Sequence, residues 1–263
     1  MNNSWLTNGG GVPQAPHPLP APDGSVLRAL KADIVLGAQL VSRHRSPRLA
    51  AVLVLALLVA AGGYHPAPNS ARVPMAVVAV GVLAAVAASR LFAPGGALAA
   101  NRAAAARWWV APVGRLTGAL LLVLPLGLAG TAFLVLPGAG LAHLIRVSIG
   151  LLVYVTALAA GTAAITPLVG SSPAAVIGLA SAWFGVIAPS ALGTLLGGWP
   201  FVARPLVTLW NVLPLPWRLM RWIGNGTVAD PGMLALWIVV GITVLAWSPG
   251  RFYRTEPRGG RHE

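Results

Sequence analysis

The sequence has no cysteine, only five acidic residues in 263, and no glycine-rich run that leads into Lys-Ser or Lys-Thr. Each absence removes a class of function. Without cysteine there can be no disulfide, no thiolate nucleophile and no cysteine-ligated metal. Without a phosphate-cradling loop, any nucleotide hydrolysis belongs to another polypeptide; the run "NGGG" at 8 to 11 has no strand before it and no lysine after it. No cofactor is expected.

The few acids are also scarce where intramembrane chemistry would need them. Asp23, Asp33, Asp230, Glu256 and Glu263 are read as lying outside the long apolar runs, as are His17, His44, His65, His143 and His262. A charge at the centre of a bilayer costs about 2.5 to 3.5 kcal/mol on insertion scales, so catalytic or proton-relaying groups at that depth stand out. Their absence argues against an intramembrane enzyme and against proton-coupled secondary transport. Ser148, Thr156, Thr162, Ser181, Ser190 and Thr243 do fall in apolar runs, where hydroxyls are expected to bond helix backbones or partner helices.

What is present is apolar: 57% of residues are hydrophobic and 9% charged, too little polar surface for a water-soluble globule. Six runs read as spans, at about 49 to 64, 74 to 92, 113 to 136, 147 to 166, 173 to 197 and 231 to 248, since roughly 20 helical residues cross about 30 Å of hydrocarbon. The first run is the shortest. Pro125, Pro173 and Pro189 lie within runs and predict kinked, closely packed helices.

Residues 1–24 are dense in proline and glycine and read as a disordered tail, with no basic segment leading into an apolar one as a signal peptide would have. Over 25–45, Val26, Leu27, Leu30, Ile34 and Val41 share one helical face opposite Arg28, Gln39 and Arg43, with Ser25 as N-cap. This predicts an amphipathic helix on the membrane surface, or one packed on the protein's own cytoplasmic face. Residues 25–248 form the membrane domain and 249–263 a basic tail.

A net charge of +13 would suggest nucleic acid in a soluble chain; in a membrane protein it reports topology, and no nucleic-acid partner is expected. With six spans both termini share a face. Thirteen of the 18 basic residues then fall on that face, against Arg72, Arg146, Arg204, Arg218 and Arg221 on the other. The richer face, and with it both termini, is expected to be cytoplasmic.

Two connections hold more than anchoring requires. Residues 93–115, "APGGALAANRAAAARWWVAPVGR", predict a short alanine-rich helix ending at Pro112, with Arg102, Arg107 and Trp108 as its basic, aromatic surface and Arg115 just beyond. Residues 197–232 are apolar yet broken by Pro200, Pro205, Pro214 and Pro216 and studded with Trp199, Trp210, Trp217 and Trp222. A hairpin of short helices dipping into the outer leaflet fits, with Arg218 and Arg221, at i and i+3, toward the headgroups. One further irregular span would give seven crossings and set the termini on opposite faces.

This layout resembles a type-2 ABC exporter permease over residues 26 to 248. "LRALKADIVLGAQLVSRHRSPRLAAVLVLALL" is similar to the family's elbow helix feeding span one. "NRAAAARWWVAPVGRLTGALL" is similar to its coupling helix, and 199–226 to its re-entrant hairpin. The chain departs from many members in having no acid over 97–111. The resemblance implies an all-α integral membrane protein with six transmembrane helices, an amphipathic elbow helix and a re-entrant helical hairpin before the last span. It also implies a separate ATP-binding subunit that docks at Arg102, Arg107, Trp108, Pro112 and Arg115. A second permease subunit, identical or different, would complete the path for a hydrophobic or amphipathic cargo such as a drug, lipid or peptide. The hairpin, through Trp210, Pro214, Pro216, Trp217, Arg218 and Arg221, would meet membrane lipids. A membrane scaffold that transports nothing is the rival reading; an intramembrane enzyme is the less favoured one.

Overall fold

A computed structural model describes residues 26–63, 69–91, 109–135, 140–225 and 229–247. The expected N-terminal tail, the Ser25 cap, Arg102, Arg107, Trp108 and the basic tail at 249–263 lie outside the described residues.

Among the described residues every regular element is a helix: α1 (Val26–Arg43), α2 (Arg45–Gly63), α3 (Asn69–Leu91), α4 (Val110–Val135), α5 (Leu141–Val169), α6 (Ser171–Phe184), α7 (Pro189–Leu195), α8 (Pro200–Val212), α9 (Pro216–Asn225) and α10 (Ala229–Trp247). Four are long and apolar enough to cross a membrane, over Val73–Leu91, Val110–Ala132, Leu141–Val169 and Ala229–Trp247. These match the second, third, fourth and sixth expected runs. The chain is thus an all-α protein of membrane type.

The other two expected spans differ from a plain crossing helix. After Arg48, α2 offers only the run from Leu49 to Gly63, about 22 Å at 1.5 Å per residue, against about 30 Å of hydrocarbon. The fifth run bends by 92° between α6 and α7. The cause is local: Gly185 ends α6, and Ala188, forced extended by Pro189 behind it, has φ −65° and ψ 147°. Elsewhere proline is absorbed, since α4 runs through Pro125 and α3 holds Pro74 inside it.

The core lies where α3, α4, α5 and α6 meet, and its residues are small. Ala76, Ala84, Ala85, Ala87 and Ala88 of α3 and Ala157, Ala160 and Ala163 of α5 are all buried. Lipid tails are as apolar as leucine, so helices in a bilayer gain from close van der Waals approach rather than from leaving water. Small residues permit that approach: a side chain at Gly178 of α6 would strike Ala85 and Thr162, and one at Gly241 of α10 would strike the Ala160 backbone. Two-thirds of the apolar window of α3 is buried (67%), against 22% for α10. So α3 is the central post and α10 a peripheral one.

Chain direction follows from the ends. Arg90, near the end of α3, donates from Nε to Ser46 Oγ at 3.1 Å and from Nη1 to Ser171 Oγ at 3.3 Å, gathering the starts of α2 and α6. The α5–α6 turn at the same end rests on Gly170, whose φ of 90° suits a residue without Cβ. The start of α4 packs against the middle of α1; the hairpin helices α7–α9 and the start of α10 occupy the opposite end, as the Gly150–Leu219 and Gly185–Pro216 contacts require.

Candidate functional site

Two sites emerge, one at each end, and each is organised by an acid. Asp33 and Asp230 are the two acids among the described residues.

At the first, α1 lies against the start of α4 with almost no gap. A Cβ on Gly37 would overlap the backbone of Arg115, one on Gly118 the Ile34 carbonyl, and one on Gly114 the Asp33 side chain. Backbones this close leave little freedom for sliding. Arg115, fully enclosed, sets its Nε 3.7 Å from Asp33 Oδ1. Burial pushes the Asp33 carboxyl above its ordinary range, and the guanidinium pulls it part of the way back. A pair so placed contributes little net stability but penalises the loss of either partner.

The amphipathic helix at 26–43 is therefore the variant packed on the protein's own body, though Leu27 and Val35 remain exposed. Arg115 was expected at a surface facing an ATPase; its side chain instead faces α1. Pro112 was expected as a break and instead sits buried in the first turn of α4, where its missing N–H has no intrahelical partner to lose.

At the second site the broken segment is stitched together by indoles. Breaks in helices leave carbonyls without partners, which at membrane depth is costly. Trp210 Nε1 donates to the Ile187 carbonyl at 3.0 Å, Trp217 Nε1 to the Trp210 carbonyl at 3.2 Å, and Trp237 Nε1 to the Val212 carbonyl at 2.6 Å. The Trp217 backbone N–H, orphaned at the start of α9, donates to the Gly185 carbonyl at 2.9 Å. The α6–α7 bend and the α8–α9 break thus close on each other. Pro216 opens α9 and packs where a Gly185 side chain would stand; Pro214 sits in the break itself, buried.

Arg218 and Arg221 do not both reach outward as expected. Arg218 Nη1 lies 3.4 Å from Asp230 Oδ1 and Arg221 Nε 3.1 Å from Oδ2. Their guanidinium carbons stand 4.9 and 5.6 Å from the Trp217 ring centroid, within cation–π range. Asp230 is fully buried, the Arg218 side chain 9% exposed and that of Arg221 44%. Hydropathy sets Asp230 outside the last span; the structure places it in the first turn of α10, where an acid complements the helix dipole. Its signal in the sequence is "ADPG", an acid followed by proline at a helix start. His143, likewise, falls in the first turn of α5 because that helix starts at Leu141.

Three of the intramembrane hydroxyls bond helix backbone as expected, whereas Thr162, packed against Gly178, departs from that expectation and has no hydrogen-bond partner for its buried Oγ1. Thr156, Ser181 and Thr243 each donate to the carbonyl four residues back, in α5, α6 and α10. Among the described residues no group of three or more His, Asp or Glu is placed to hold a metal. Comparison of the chain with protein-family models, with curated proteins and with solved structures finds no match. Function is argued from the geometry.

Proposed function

We propose that this chain is the membrane permease subunit of an ATP-driven exporter of the type-2 ABC kind, working with a separate ATP-binding subunit and a second permease subunit. The observation that carries the reading is the clamp between α1 and α4. Residues 92–108 run directly into α4, so a push on that connection reaches Val110 first. Because Gly37, Gly114 and Gly118 hold α1 and α4 backbone to backbone, and Asp33 holds Arg115, α1 and α4 respond as one body. Arg115 then acts as a positioning residue within the lever, while Arg102, Arg107 and Trp108 are the side chains that meet the ATPase.

In this reading α2 and α6 complete six crossings with α3, α4, α5 and α10. The Arg90 link, which brings the starts of α2 and α6 to the end of α3, fits the alternation of direction that six crossings need. The basic end is cytoplasmic, in the cell membrane, with both termini there, and the hairpin α7–α9 lines the outer mouth. The cargo is hydrophobic or amphipathic, moving between two permease subunits.

The test is recovery of the full-length chain from membranes in mild detergent, with bound proteins identified by mass spectrometry. An ATP-binding subunit should co-purify, and deleting 98–108 should remove it without affecting membrane insertion. A complex that survives the deletion would overturn the assignment of that connection.

A further inference from the structure

The outer cluster has more positive charge than its acid can balance. Two guanidiniums meet the single carboxylate of Asp230, and both Asp230 oxygens are occupied. Arg218 is enclosed, and its Nε has no hydrogen-bond partner. Among the described residues no second acid lies at this end, because the other one, Asp33, is paired with Arg115. Among the described residues one positive charge is thus in excess in a partly dry setting, with both guanidiniums within cation–π range of the Trp217 ring. Arg221 meets Asp230 through Nε, while its side chain as a whole stays 44% exposed and open to a further partner. Guanidinium forks of this kind suit phosphate oxygens.

The surroundings point to an amphiphile. Helix α9 lies on α5 at Gly150, where Leu219 and Trp222 would meet any added side chain. Beside that contact, α5 exposes Ile145 and Ile149, an apolar strip along which acyl chains can lie. Arg146, exposed between them, adds a further positive charge at this end. We propose that Trp217, Arg218, Arg221 and Asp230 form a binding site for the headgroup of an anionic phospholipid in the outer leaflet, with Arg221 making the direct contact and Asp230 holding both arginines in place. The site needs no ATPase and stands or falls apart from the exporter reading.

The test uses the purified full-length chain alone in neutral detergent micelles. Phosphatidylglycerol, phosphatidylcholine with the same acyl chains, or inorganic phosphate is added, and thermal unfolding is followed. Phosphatidylglycerol should raise the midpoint by about 3 °C more than phosphatidylcholine. Arg221→Gln should erase that difference, Arg221→Lys should keep part of it, and Arg204→Gln, an exposed arginine on α8, should leave it intact. Inorganic phosphate should give no shift beyond a neutral salt. Equal effects of the two lipids on the wild type, or an undiminished preference in Arg221→Gln, would overturn the site; a phosphate shift matching that of phosphatidylglycerol would assign it to a free anion instead. Should Arg221→Gln fail to fold, native mass spectrometry of the wild type and Arg204→Gln in an equimolar lipid mixture decides: about threefold retention of phosphatidylglycerol over phosphatidylcholine in both is expected, and parity refutes the proposal.

Discussion

The two ends of the molecule use the same ingredients, an aspartate and arginine, to opposite effect. At the α1–α4 end one acid faces one enclosed arginine between helices whose glycines bring the backbones into contact. At the α9–α10 end one acid faces two arginines, one of them half in solvent, across helices held by indole hydrogen bonds. A balanced pair in a glycine-lined seam makes a rigid joint. An unbalanced trio under a tryptophan leaves a charge for something else to use.

The largest effect should come from wedging the rigid joint. Gly118→Leu places side-chain atoms where the Ile34 carbonyl stands; overpacking against movable side chains already costs about 1 to 3 kcal/mol, and here the obstacle is backbone that cannot give, so the two helices must part. The variant should lose most of its monodisperse yield in detergent, while Gly232→Leu, at an open position on α10, should not. Next are the acids. Asp33→Asn and Asp230→Asn each take the carboxylate away from a buried guanidinium, at up to about 3 to 5 kcal/mol, readable as a lowered unfolding midpoint. The Asp230 variant should suffer more, since its carboxylate serves two guanidiniums, one enclosed and one half exposed.

The double variant Asp33→Leu with Arg115→Met sharpens the contrast, because replacing a buried pair with apolar side chains is near neutral or stabilising. Its midpoint should return to near that of the wild type. Arg221→Gln should cost little stability, about 1 kcal/mol or less, because the side chain is half exposed and its loss leaves a balanced Arg218–Asp230 pair. Similar in size, Trp237→Phe removes one indole donor from the Val212 carbonyl, worth about 1 kcal/mol. That loss should register as faster hydrogen exchange confined to the α8–α9 break.

How much of this was legible in the residues differs between the two ends. The long apolar helices follow from run length, and the breaks at Pro189, Pro200 and Pro216 follow from proline chemistry, which is local. The glycines at 37, 114 and 118 were visible too, but spacing within one helix does not say which neighbour it will meet. Arg218 and Arg221 show a shared face at i and i+3, yet what that face meets depends on the start of α10 bringing Asp230 beside them. Charge counting placed these arginines on the outer side because it treats each as solitary. A pairing between residues 12 and 9 apart from α9 to α10, or 82 apart across a helix seam, is tertiary information that hydropathy and composition do not contain. The bend at 185–188 was half legible: Pro189 predicts the break, but not its 92° angle or that the start of α9 would pack against Gly185.

The account rests on the connection at 92–108 facing the compartment where ATP is hydrolysed, and the missing cysteines make that testable without background labelling. Ala104→Cys and Gly140→Cys would each introduce the single thiol of the protein, to be probed in intact cells with a membrane-impermeant maleimide. The account predicts that Gly140→Cys is modified at once and Ala104→Cys only after the membrane is permeabilised. Modification of Ala104→Cys in sealed cells would contradict it.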